Sequence, residues 1–119
     1  MNSIQESLTE LYRAPGVKGC VFVTSDGLVV AEALENKYRE DVVAGLASYL
    51  MMTTSKVLQE GGIDSFDQFT VHAAHGKVVF IDLSGSVLVV LLDQFADLRA
   101  CRAEIRSATQ RLRRSARMC

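Results

Sequence analysis

Six consecutive aliphatic residues, Val87-Leu88-Val89-Val90-Leu91-Leu92, limit the possible folds more than any other stretch of this chain. A strand with one wet face alternates apolar and polar side chains, and this run does not alternate. Val78-Val79-Phe80-Ile81 barely does, and Val21-Phe22-Val23 fits the same pattern. Strands that are apolar on both faces have to be covered on both faces. Three helical stretches are available as cover, so the economical solution is one sheet sandwiched between helices, a three-layer α/β/α arrangement of the α+β class.

The punctuation along the chain supports that reading. Ser3 and Glu6 form a capping-box pattern ahead of Ile4, Leu8 and Leu11, and Pro15-Gly16 stops this first helix. Val17 to Thr24 is predicted as a strand, Ser25-Asp26-Gly27 as a tight turn, and Leu28 to Glu32 as the returning strand. A long helix is expected from Lys37, with Asn36 as its N-cap, to the Gly61-Gly62 stop. Phe66 to Ala74, Lys77 to Leu83 and Val87 to Asp93 follow as strands whose links are too short for a crossover helix, hence an antiparallel meander. Asp97 opens a last helix with Leu98, Cys101, Ile105, Ala108 and Leu112 on one stripe. The order is α-β-β-α-β-β-β-α in a single domain spanning 1–119, with no linker or repeat.

The long helix is apolar on two sides. Val43, Leu46, Ala47, Leu50, Val57 and Leu58 form the expected core stripe, and Tyr38, Gly45, Tyr49 and Met52 gather on a second side. A small domain has no core use for the second side, so it is expected to meet a partner. Gly45 costs roughly 1 kcal/mol of helix propensity and would let another backbone come close. The strand around Phe69, Thr70, Val71 and His72 is mixed on both faces and is expected at a sheet edge, where a second chain can pair.

Composition excludes several function classes. The chain has 119 residues, 49% apolar and 23% charged, as a globular domain does. Residues 1–6 lack the basic and apolar regions of a secretory signal, no run is long enough to span a bilayer, and a cytoplasmic protein is expected. Cys20, Cys101 and Cys119 suggest neither a disulfide framework nor a zinc site. His72 and His75 fall across a strand end and turn, a poor arrangement for joint metal ligation. No nucleophile elbow and no phosphate-binding glycine loop is found, so neither catalysis nor a cofactor is expected. Charge is lopsided: residues 99–119 hold seven arginines against Glu104, whereas residues 1–98 hold six basic against thirteen acidic side chains. Arg106, Arg111, Arg113, Arg114 and Arg117 are thus a candidate basic tail for an anionic surface.

The element order, together with Pro15-Gly16-Val17-Lys18-Gly19, the hairpin from Val23 to Ala31, the helix ending at Gly61 and Gly85 before an aliphatic fifth strand, resembles the roadblock/dynein light-chain family. Its bacterial branch includes MglB-type partners of Ras-like GTPases. The resemblance implies a profilin-like, five-stranded antiparallel sheet with the second helix on one face and the terminal helices on the other. It also implies homodimers joined through third strands and paired second helices, on which a small Ras-like GTPase sits. Carried onto this chain, that platform would be Tyr38, Gly45, Tyr49 and Met52, with Arg39, Ser48 and Lys56 nearby. If GTP hydrolysis is stimulated, the arginine candidates are Arg39, the only one on this helix, Arg13 and the C-terminal cluster. None sits in a diagnostic motif, and indirect action on the GTPase's own loops is expected. The competing readings are a small-ligand sensor of profilin/PAS-like fold and an Arg-driven binder of anionic surfaces.

Overall fold

The computed structural model describes residues 3–35, 37–63 and 67–117, the side chains of 116 and 117 excepted. The elements are α1 (Ser3–Tyr12), β1 (Val17–Thr24), β2 (Val29–Leu34), α2 (Glu40–Glu60), β3 (Gln68–Ala73), β4 (Gly76–Asp82), β5 (Ser86–Asp93) and α3 (Leu98–Arg117). The five strands form one antiparallel sheet in the order β2-β1-β5-β4-β3. The doubly apolar strands are the reason for this order: β5 and β1 lie inside the sheet, where both faces are covered, and the mixed β3 is an edge.

Alternation along each central strand divides the core in two. Cys20, Phe22, Leu88, Val90 and Leu92, with Val79 and Ile81, turn toward α1 and α3, meeting Leu8, Leu11, Ile105 and Leu112. Val21, Val23, Val87, Val89 and Leu91, with Phe80, turn toward α2 and meet Ala44, Ala47 and Met51. Burying a large aliphatic side chain contributes about 1.5–3 kcal/mol, so the α1/α3 layer, built from leucines and isoleucines, holds the larger share. The alanines of α2 contribute less each but let the helix lie close to the sheet.

Several predicted boundaries move. The first helix stops as expected, with Gly16 at φ 86°, a conformation that Cβ-bearing residues avoid. The second strand begins at Val29, one residue late, and runs to Leu34; Leu28 is still in the turn, where its N–H donates to Thr24 Oγ1 (3.0 Å). The second helix begins at Glu40, not Lys37. Tyr38 N–H closes a turn onto Glu35 O (3.1 Å), and Arg39 is extended at φ −98°, ψ 117°. Arg39 thus holds the N-cap position without a side-chain cap, while Glu40 and Asp41 place negative charge on the positive end of the helix dipole. The expected cap Asn36 and the expected strand residue Phe66 lie outside the described residues. The last helix continues well past Leu112 to Arg117, so most of the expected basic tail is ordered helix.

Candidate functional site

The outer face of α2 carries the largest apolar exposure of any element. Val42 (55% exposed), Leu46 (55%), Tyr49 (64%), Met52 (66%) and Val57 (61%) recur every three to five residues along it. At 1.5 Å per residue they span roughly 22 Å. No charged residue occurs between Asp41 and Lys56. A Cβ placed on Gly45 would have no atom within 4 Å, so the helix surface there is open to close approach. The helix ends in a paired-bond stop: Ile63 N–H donates to Leu58 O (2.8 Å) and Gly62 N–H to Gln59 O (3.1 Å), with Gly62 at φ 75°.

Some expected platform residues lie elsewhere. Tyr49, Met52 and Gly45 are on the outer face as predicted, and Lys56 lies exposed among them. Tyr38 precedes the helix and is half-buried against the α2-side core, with Lys37 Nζ 5.2 Å from its ring centroid. Ser48 faces the β1–β2 hairpin, where its hydroxyl donates to Ser25 O (2.8 Å) and ties helix to turn. Arg39 is exposed and pairs with Asp41 at 3.2 Å, a contact of about 0–1 kcal/mol at such exposure. Leu46 and Val57 belong to the outer strip, not the core. The helix seats itself through Ala44, Ala47 and Met51, and Leu46 lies on roughly the opposite side of the wheel. Val42, Leu46 and Val57 were therefore missed as surface residues; the charge-free stretch after Asp41 was the signal that could have found them.

The other predicted contact surface, β3, lies at the edge of the sheet. Among the described strands, β3 pairs with β4 alone and ends the sheet on that side. Phe69 stacks on Phe80 with centroids 4.8 Å apart, but Val71, on the same face, is exposed, because α2 leans toward the β1–β2 half of the sheet. Thr70 and His72 project from the opposite face, and His75 is exposed in the β3–β4 turn.

The cysteines and arginines also have assigned places. Cys20 Sγ donates to Leu8 O (3.3 Å), and burial, aided by Glu32, pushes its thiol pKa up to about 12. Cys101 Sγ donates to Pro15 O (3.1 Å), and burial first, then Glu104 and Asp97, raises its pKa too. Neither thiol is a ready nucleophile; Cys119 lies outside the described residues. Arg111 forks onto Glu10 of α1, and Arg113 Nη2 donates to Asp82 O (3.4 Å). Arg106 and Arg114 are exposed on α3 with no ion pair to a described residue; the Arg117 side chain lies outside the description.

Such an arrangement can bind, and comparison with known proteins gives it a lineage. Residues 3–92 match the Roadblock/LC7 domain. The chain belongs to that family. A relative from Methanocaldococcus jannaschii, uncharacterized protein MJ0714, is 31% identical over 92% of this chain and 93% of its own length. Among solved structures, Myxococcus xanthus MglB superposes with a TM-score of 0.92 at 17% identity, covering 100% of this chain and 98% of that one. A structure described as MglB with tetrameric arrangement gives 0.85 at 19% identity, covering 97% and 88%. These likenesses show the roadblock, profilin-like fold expected from the sequence. At 17–19% identity these structures show the fold and not a bacterial affiliation, and the sequence relative named above comes from Methanocaldococcus jannaschii.

Proposed function

We propose that this roadblock chain, read as one unit over its whole length, is a non-enzymatic homodimeric adaptor that binds a small Ras-like GTPase in the cytoplasm. The observation that carries the reading is the exposed α2 outer strip of Val42, Leu46, Tyr49, Met52 and Val57, on a sheet that ends at the edge strand β3. Two copies joined through Phe69–His72 would extend the sheet and bring two such strips side by side. That burial would remove an apolar surface unusual for a free monomer. The open backbone at Gly45 fits a close helix–helix approach. The tetrameric arrangement named for one MglB structure supports self-association as a habit of this fold. The paired helices would then offer Tyr49, Met52 and Lys56 to the GTPase, acting on hydrolysis through the GTPase's own switch loops.

Light scattering at tens of micromolar tests the dimer, and capture of a small GTPase encoded beside this chain's gene tests the partner. A dimer that Tyr49→Arg dissociates, with loss of capture, is the expected result. A monomer at that concentration would overturn the reading.

A further inference from the structure

On the sheet face opposite α2, a groove of about 480 Å³ runs between α3 and the β4–β3 edge. Its lining is mixed. Val79, Ile81 and Ile105, each almost fully buried, and the half-buried Leu98 lie at its floor. Gln68, Thr109 and Gln110 add polar groups, and Arg102, Arg106 and Arg113 line the helix side. Arg102 and Arg106 make no ion pair with a described residue, and Arg113 spends one N–H on a neutral carbonyl. Asp67 is the single acidic residue on the lining. We propose that this groove is a docking site for an acidic, amphipathic peptide segment of a partner protein.

Three features select that occupant. Arg102 and Arg113 are eleven residues apart, roughly 16 Å along the helix, which matches about three turns of a helical peptide. Guanidinium forks suit the carboxylates of Glu and Asp, and the apolar floor between them takes aliphatic side chains from the same segment. The slot is concave and bounded by a sheet edge, so a flat bilayer or a duplex would span its rim without reaching the floor. Residues 1–98 carry a balance of seven negative charges, which opposes an extended polyanion but not a segment held inside the groove. The site accounts for Arg102, Arg106 and Arg113, which the α2 strip leaves unexplained, and it rests on observations separate from those behind the dimer reading.

The test is fluorescence anisotropy on the full chain at physiological salt. The probes are a labelled 12-residue Glu/Leu peptide with leucine at every third or fourth position, and its Lys/Leu and Glu/Ser counterparts. The Glu/Leu peptide should bind saturably, Glu/Ser at least tenfold more weakly, and Lys/Leu not at all. Arg102→Glu with Arg106→Glu should weaken Glu/Leu binding at least tenfold while leaving the circular dichroism unchanged. Arg114→Glu, outside the groove, and Leu46→Arg, on the opposite layer, should each leave binding within twofold. Absence of saturable binding, or equal losses from Arg114→Glu, would overturn the site. So would a double variant that loses binding to phosphatidylserine vesicles or single-stranded DNA but keeps the peptide.

Discussion

The two faces of the sheet are covered by layers of opposite character. On one side α1 and α3 interlock through leucines and isoleucines, and α3 turns arginines outward. On the other, α2 lies close through two alanines and a methionine and turns valine, leucine, tyrosine and methionine outward. The first layer is complete within one chain; the second buries too little for its apolar content. Stability is thus concentrated on the α1/α3 face, the proposed self-association would draw on the α2 face, and substitutions should separate the two.

The sharpest break comes from the complete layer. Leu112→Ala empties a fully buried site on α3 and should cost about 2–5 kcal/mol, read as a lowered urea midpoint. If α2 is instead an interface, Tyr49→Arg should weaken self-association by ~2 kcal/mol or more, roughly thirtyfold in sedimentation. The same variant should shift monomer stability by no more than about 0.5 kcal/mol, as exposed sites do; a collapse in stability would place the strip in the core. Gly45→Ala separates the layers within a single residue. With open space around the added methyl, it should stabilise the monomer by about 0.5–1 kcal/mol. It should also weaken dimerisation if helices meet there.

The smallest effect belongs to the start of α3. Asp97 Oδ1 accepts from Arg99 N–H (2.9 Å), and that bond chiefly holds its carboxyl below the usual value of 3.8. A group whose folded pKa is lowered stabilises the fold above its unfolded pKa and loses that contribution as pH falls through the folded one. Asp97→Ala should therefore lower the thermal midpoint at neutral pH, by less than Leu112→Ala does, and the gap should close in acid below the usual carboxylate range.

Legibility followed the size of the local signal. Strands with six aliphatics in a row could only be central, and Gly16 and Gly62 mark stops because few other residues suit their backbone. The start of α2 was less legible, since Lys37, Tyr38 and Arg39 are acceptable helix residues; a turn onto Glu35 and the core contact of Tyr38 decide against it. On α2 the sequence reading favoured large aliphatics for the core, whereas the structure seats the helix through alanines. Leu46 and Val57 then crossed to the surface and enlarged the candidate site.

By itself the amino-acid sequence determined the α+β class, the antiparallel meander, the β3 edge and a second helix with more apolar surface than one core can use. Those depend on periodicity and backbone preference, which are local properties. Only the tertiary structure decided which side of α2 is wet, that Ser48 and Tyr38 are internal ties, and that Arg111 is bound to Glu10. It also placed Arg102, Arg106 and Arg113 along a groove of mixed lining. Each of these depends on how closely one layer approaches another, a distance set by side chains far apart in the chain.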